Sequence, residues 1–241
     1  MKTLFALAAI AAAVAPAHAL TTGDLAFTAF NADEDGWSLV TFVDIAAGTQ
    51  VFFSDGTASS ATTIGTTESS FSWNTGANVI AAGTVVRFSA IDADGRAASA
   101  GSLAVVNSGN LGLSATAETI YAFLGSSATS VTTMLTAVST ESNTNALTTV
   151  GLTAGVNAIK LTSSTDFAGY TGTRAGEATF AAYAPLVNAP GNWAINVGGN
   201  GTSVLPDTTA FSVTAVPEPE TYALMLAGLA AVGMLARRRQ A

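Results

Sequence analysis

From Leu20 to Val216 the hydrophobic residues come in short runs separated by Gly, Asn and Asp, a texture that predicts strands and turns rather than long helices. The runs place strands at 25–30, 38–45, 49–54, 70–73, 84–90, 103–107, 119–124, 157–161, 193–197 and 210–216. Leu39, Thr41 and Val43 alternate with Val40, Phe42 and Asp44, the pattern of a strand with one face buried. Many short strands with frequent turn signals favour an all-β, antiparallel β-sandwich. One stretch departs from the pattern. Phe180, Tyr183 and Val187 recur at helical spacing, which predicts a short helix over 177–187 stopped by Pro185 or by the 188–191 loop. The string Ile-Ala-Ala-Gly-Thr at 45–49 returns at 80–84, each copy leading into a strand. Two copies are too few for a solenoid and predict equivalent turn-to-strand corners, with Gly48 and Gly83 supplying the turn conformation.

Both ends carry a different pattern. Residues 1–19 hold Lys2, an apolar run over 4–14, Pro16 and then Ala17-His18-Ala19, the order of a secretory signal peptide cleaved after Ala19. His18 is the sole histidine, so the mature chain is expected to have none. At the other end, Pro217 and Pro219 fix φ and remove two backbone donors, so Pro217-Glu218-Pro219 is expected to stay extended and exposed. Uncharged residues 222–236 follow, expected to form a transmembrane helix, although fifteen residues reach only about 22 Å of the roughly 30 Å hydrocarbon core. Arg237, Arg238 and Arg239 close the run and favour the cytoplasmic side, which places the preceding chain outside.

This order of Val216-Pro217-Glu218-Pro219, short apolar helix and arginine cluster resembles the PEP-CTERM sorting signal of Gram-negative bacteria. The resemblance implies that an exosortase, an integral-membrane cysteine transpeptidase, recognises Pro217-Glu218-Pro219 and detaches the exported cargo from its helix. Proteins with such a tail look like surface or matrix components of bacteria that make exopolysaccharide. The body, 20–215, also has a likeness. Residues 23–28, the two corners, 151–155 and 189–193 together are similar to an uncharacterised β-rich domain of bacterial secreted proteins, and its opening half resembles lamin-tail immunoglobulin-like sandwiches. That likeness implies a fold and carries no activity.

Composition narrows the chemistry. Of 16 acidic residues all but Glu218 and Glu220 lie in the body, and of eight basic residues only Arg87, Arg96, Lys160 and Arg174 do, so the body carries about −10. Such a surface repels phosphate backbones and disfavours nucleic acid as a partner. Cysteine is absent, which removes disulfides and thiolate chemistry. Without Cys, and with no histidine in the mature chain, the usual triads and zinc sites have no ligands, and no Gly-x-Ser-x-Gly elbow, Ser-x-x-Lys pair or phosphate loop occurs. Paired carboxylates remain open as a glycosidase-type device.

Asn31, Asp33 and Asp35, followed by Gly36, match the opening of a calcium loop, but its twelfth position is Phe42 where a bidentate Glu belongs; an acidic turn explains the same residues. Asp92 and Asp94 before Gly95 are a weaker match. Trp37, Trp73 and Trp193 could stack on sugar rings or fill the core. Asn200-Gly201-Thr202 fits a glycosylation pattern too short to assign a role. The expectation is an exported protein without cofactor or catalytic activity, a structural component of the envelope or exopolysaccharide layer. The alternatives are a carbohydrate-binding or adhesive module and a carboxylate-based glycan hydrolase. The expected partners are exosortase, the secretion machinery, the membrane before processing, and exopolysaccharide.

Overall fold

The structure is a computed structural model that describes residues 19–214 and 219–238. Among the described residues fourteen strands follow one another: β1 (Leu25–Asn31), β2 (Gly36–Thr41), β3 (Gln50–Ser54), β4 (Ala58–Ser60), β5 (Thr63–Ile64), β6 (Ser69–Asn74), β7 (Val85–Ser89), β8 (Ala97–Ala98), β9 (Ser102–Ser108), β10 (Thr119–Ser127), β11 (Ser130–Ser139), β12 (Ile159–Lys160), β13 (Phe167–Tyr170) and β14 (Trp193–Asn196). They form two sheets. One runs β14-β13-β1-β2-β7-β8; the other runs β4-β5-β11-β10-β3-β6-β9, with β12 added beside β11. Every pairing is antiparallel except β11 with β12.

The sheets face each other across one apolar core. Trp37 and Phe88 from the six-stranded sheet meet Phe53, Phe71 and Trp73 from the other, with ring centroids 5.1 Å apart for Trp37–Phe53, 4.9 Å for Phe53–Phe88 and 5.3 Å for Trp73–Phe88. Tilted and edge-on rings at these separations add about 0.5–1.5 kcal/mol per pair to the burial itself. The eight-stranded sheet carries a second core on its outer face, where Phe52, Tyr121, Phe123 and Met134 are covered by α1 (Asn145–Thr149) and residues 150–158. Successive residues on β3 and β10 therefore serve opposite cores: Val51 and Phe53 point inward, Phe52 outward. This explains why these strands read as continuous apolar runs.

The two repeated corners are equivalent turns that feed opposite sheets. Gly48 and Gly83 have φ of 73° and 84°, and the copies are stitched together by a reciprocal bridge, Ile45 N–H to Ile80 C=O at 2.8 Å and the reverse at 3.0 Å. One corner launches β3 and the other launches β7.

Several expectations need correction. The run 38–45 is a strand only to Thr41, and β2 is buried along its whole length on both faces, not half-buried. Residues 210–214 form no strand; Val213 makes a single bridge with Glu177, and 215–216 lie outside the described residues. The helix expected over 177–187 is a 3-10 turn, Phe180–Tyr183, running into α2 (Ala184–Val187), and Pro185 starts that helix instead of stopping it. The ten-residue β11, together with β4, β5, β8, β13 and α1, left no clear trace in the hydrophobic pattern.

Candidate functional site

The acidic turn between β1 and β2 is tied to a strap that runs from β14 back across the body. Asn31 Oδ1 accepts from the N–H groups of Asp33 (3.0 Å) and Glu34 (3.1 Å), while its Nδ2 donates to the carbonyls of Gly201 (2.9 Å) and Val204 (3.3 Å). Asp33 Oδ2 accepts from Gly201 N–H at 2.5 Å. Asp35, at φ 53°, instead accepts from Leu113 N–H at 2.5 Å, and burial pushes its carboxyl up despite that bond. Glu34 pairs with Arg87. The three residues matched to a calcium loop thus serve a turn and two separate loops, and among the described residues no group of three or more His, Cys, Asp or Glu side chains could hold a metal ion.

The strap continues to the root of the C-terminal tail. Arg174 meets Asp207 at 3.1 Å and donates to the carbonyls of Asp207 (3.2 Å) and Thr209 (3.0 Å). Its guanidinium lies 4.9 Å over the ring of Phe211. Phe211 is 3% exposed, stacked on Tyr170 at 5.8 Å and edge-on to Tyr183 at 5.0 Å. Backbone bonds fix the rest: Phe211 N–H to Gly83 C=O (2.8 Å), Ser212 N–H to Arg174 C=O (2.8 Å) and Thr214 N–H to Glu177 C=O (2.9 Å). The Tyr183 hydroxyl donates to Ser212 C=O at 2.6 Å and accepts from Glu177 N–H at 3.1 Å.

A second feature was not foreseen. A polar groove of about 570 Å³ opens where the ends of β3, β6, β10 and β11 converge, lined among others by Asp55, Glu68, Glu118, Glu141, Asn143 and Asn145. Desolvation pushes Glu118 up to about 7, reinforced by the charges of Asp55 and Glu68 and opposed by the N–H groups of Ser114 (2.9 Å) and Thr119 (3.0 Å). Desolvation likewise pushes Asp55 up to about 6, although Ser69 Oγ donates to it at 2.8 Å. The Oδ1 atom of Asp55 is buried with no protein partner. These acids are up to 86 residues apart in sequence, each beside an unrelated strand end, so no motif could announce them.

Beyond Thr214 the described chain resumes as α3 (Pro219–Arg238). Pro219 is the first residue of this helix and so is not extended, a correction to the expected three-residue stretch; Pro217, Glu218 and Arg239 lie outside the described residues, as do 1–18 with Ala17. The side chains of Leu224, Met225, Leu226, Leu229 and Met234 are exposed to solvent, and Arg237 and Arg238 sit in the last turn, where positive charge complements the helix dipole. Among the described residues no helix is long and apolar enough to cross a membrane. An exposed apolar helix joined to a polar segment with a basic end matches the family model described as the PEP-CTERM protein-sorting motif over residues 215–240.

The chain carries a PEP-CTERM sorting motif.

No curated protein and no solved structure matches the chain, so the β-rich body is not identified by likeness to another protein. The PEP-CTERM motif is a sorting signal recognised by exosortase, and it marks the chain as an exported protein. The tryptophans do not form sugar platforms. Trp37, Trp73 and Trp193 are 2%, 0% and 7% exposed, Trp73 donates to Ala100 C=O at 2.8 Å and Trp193 to Val187 C=O at 2.7 Å. All three are core residues, which corrects the stacking alternative.

Proposed function

We propose that the chain is an exported precursor whose signal peptide is removed after Ala19 and whose body, 20–215, is a non-catalytic structural component of the envelope or exopolysaccharide layer. Exosortase recognises Pro217-Glu218-Pro219 and separates the body from the apolar helix that holds the precursor at the membrane, with Arg237, Arg238 and Arg239 on the cytoplasmic side. The observation that carries this reading is the PEP-CTERM match at 215–240, which begins one residue after Thr214, whose N–H is bonded to Glu177 of the body. Burial of all three tryptophans removes the most direct means of gripping sugar rings. Intact mass spectrometry of protein recovered from the native cell surface tests the proposal. A chain starting at Leu20 and lacking the arginine-capped helix is expected; recovery with Arg237–Arg239 attached refutes it.

The acidic groove favours one second reading, a module that binds a polar glycan through carboxylate and amide hydrogen bonds. Calorimetric titration with neutral and cationic oligosaccharides decides it, since heat lost in a Glu118→Gln variant supports the groove and no heat from any of them dismisses it. Cleavage by the same groove is less well supported, because both oxygens of Glu118 are already held by backbone N–H groups.

A further inference from the structure

We infer that β9 is the edge along which the body pairs with a second copy of itself. β9 ends the eight-stranded sheet, with β6 on one side, and among the described residues 102–108 make no backbone hydrogen bond outside that pairing. Alternate residues of a strand direct N–H and C=O to each side, so about half of this strand presents bare donors and acceptors outward. The other sheet ends are short: three residues in β4, two in β8 and four in β14, against seven in β9. No charged residue and no proline lies between Arg96 and Glu118, so the devices that keep an edge from pairing are largely missing. The core is open here as well. Leu103 and Val105 pack on it but are only partly buried, as are Ala98 and Ala100 beside them, and Val106 is 52% exposed. One irregularity sets a limit: Phe71 faces Val105 but Ser70 faces Asn107, a bulge at Val106 that ends the regular run.

The edge itself selects a second copy. Opposed residues of an antiparallel pair share a face of the sheet, so a two-fold axis relating two such edges passes through a residue and not between two. Placed at Ala104, the axis sets Leu103 against the partner's Val105, Val105 against the partner's Leu103, and Ser102 against the partner's Val106. The partly buried apolar residues then cover one another, and the ladder stops at the bulge. Charge favours the same arrangement. Glu68 sits at the Ser108 end of the edge, where Asn107 Nδ2 donates to its carbonyl at 2.6 Å and Asn110 Nδ2 to its carboxylate at 3.2 Å. Antiparallel pairing puts the two Glu68 side chains at opposite ends, whereas parallel pairing would set them side by side. Bodies of about −10 repel one another, and an uncharged edge is where two of them can meet. The contact uses one patch twice and closes on itself. Its ladder, 102–106, is far shorter than the about 20–30 residues a side of a standard interface, so the pair is weak and forms at high local concentration.

The chain has no cysteine, so a single introduced thiol reports contact between copies without background. Full-length chain in detergent micelles is oxidised with diamide, and the cross-linked dimer is read on non-reducing gels. Ala104→Cys is expected to cross-link about tenfold faster than Val156→Cys, because residues opposed across an antiparallel pair lie about 4.5–5.5 Å apart, within reach of a disulfide. Val156 is the control, 59% exposed on the cover of the second core. Val106→Cys alone should match that control, since its twin lies four residues away along the ladder, and mixed with Ser102→Cys it should link as fast as Ala104→Cys. Equal rates at 104, 106 and 156 report chance encounters and overturn the inference. Charge repeats the test without thiols: Ala104→Lys and Ala104→Glu should each abolish the concentration-dependent association of the full chain in sedimentation velocity, and a mixture of the two should restore it. Association that survives both substitutions, or a mixture that stays monomeric, also overturns the inference. Trimming of the tail plays no part in either measurement, so the inference fails or holds separately from the sorting reading.

Discussion

Replacing Phe211 by alanine tests whether the strap is part of the body or a loosely attached leader to the tail. The ring is almost completely buried against Tyr170, Tyr183 and Arg174. Phe→Ala in a packed core typically costs about 3–5 kcal/mol, as lost transfer energy plus the cavity left behind. The site lies near the surface and can relax, so the lower end, about 3 kcal/mol, is expected. A ceiling also applies. If the strap detaches alone, the observed loss cannot exceed the free energy with which residues 197–214 are docked, because the rest of the body then unfolds from the released state. For a domain of 150–250 residues each kcal/mol shifts Tm by about 2–4 °C, so a fall of about 6–12 °C is expected. Thermal unfolding of the full chain measures the global term, and thermolysin cleavage next to the exposed Leu205 measures release of the strap. Phe211→Leu should recover more than half of the loss. A loss below about 1 kcal/mol, together with unaltered cleavage, would refute the claim that the ring locks the root.

The repeated corners give a contrast within one motif: Gly48→Ala meets open space and should cost about 1–2 kcal/mol of left-handed strain, whereas Gly83→Ala also drives a methyl onto Phe211 C=O and the Phe180 ring and should cost several-fold more by equilibrium unfolding. Glu118 and Asp55 take up protons more readily in the folded chain, so their contribution to stability is full below about pH 4 and is lost as pH rises through 6 to 7. Tm should therefore rise between pH 8 and pH 5.5, and Glu118→Gln should flatten that slope; a fall over the same range would contradict the burial of these groups. Tryptophan emission of the natural chain should be blue-shifted and unaltered by polysaccharides, since all three indoles are enclosed.

Parts of this outcome were legible in the residues themselves. Nine of the ten expected strands exist, because local alternation and turn residues act within a few positions of one another, and the corners at Gly48 and Gly83 needed φ values that glycine adopts freely. The tail could be read for the same reason: a sorting signal is recognised as a linear string, so the order of prolines, apolar residues and arginines carries its meaning without a fold. The strand that failed, 210–216, shows the limit. Its apolar residues are real, but Phe211 satisfies them by plugging a gap beside Tyr170 and Tyr183 on distant segments, which no local pattern encodes. β11 was hidden for a related reason: Ser and Thr interrupt its apolar residues, and Ser139 finds its buried partner, the Thr119 hydroxyl at 2.9 Å, only because β10 lies beside it.

What the sequence by itself determined is the sorting motif at the C-terminal end, the all-β character of the body and the absence of thiol chemistry, each a property of neighbouring residues or of composition. Only the tertiary structure decided that Asn31 and Asp33 hold a strap, that the three indoles are buried, and that acids from four strand ends share one groove. Those are relations across up to 173 positions, set by which surfaces pack together, and the free energy that selects them belongs to the whole core and not to any stretch of chain.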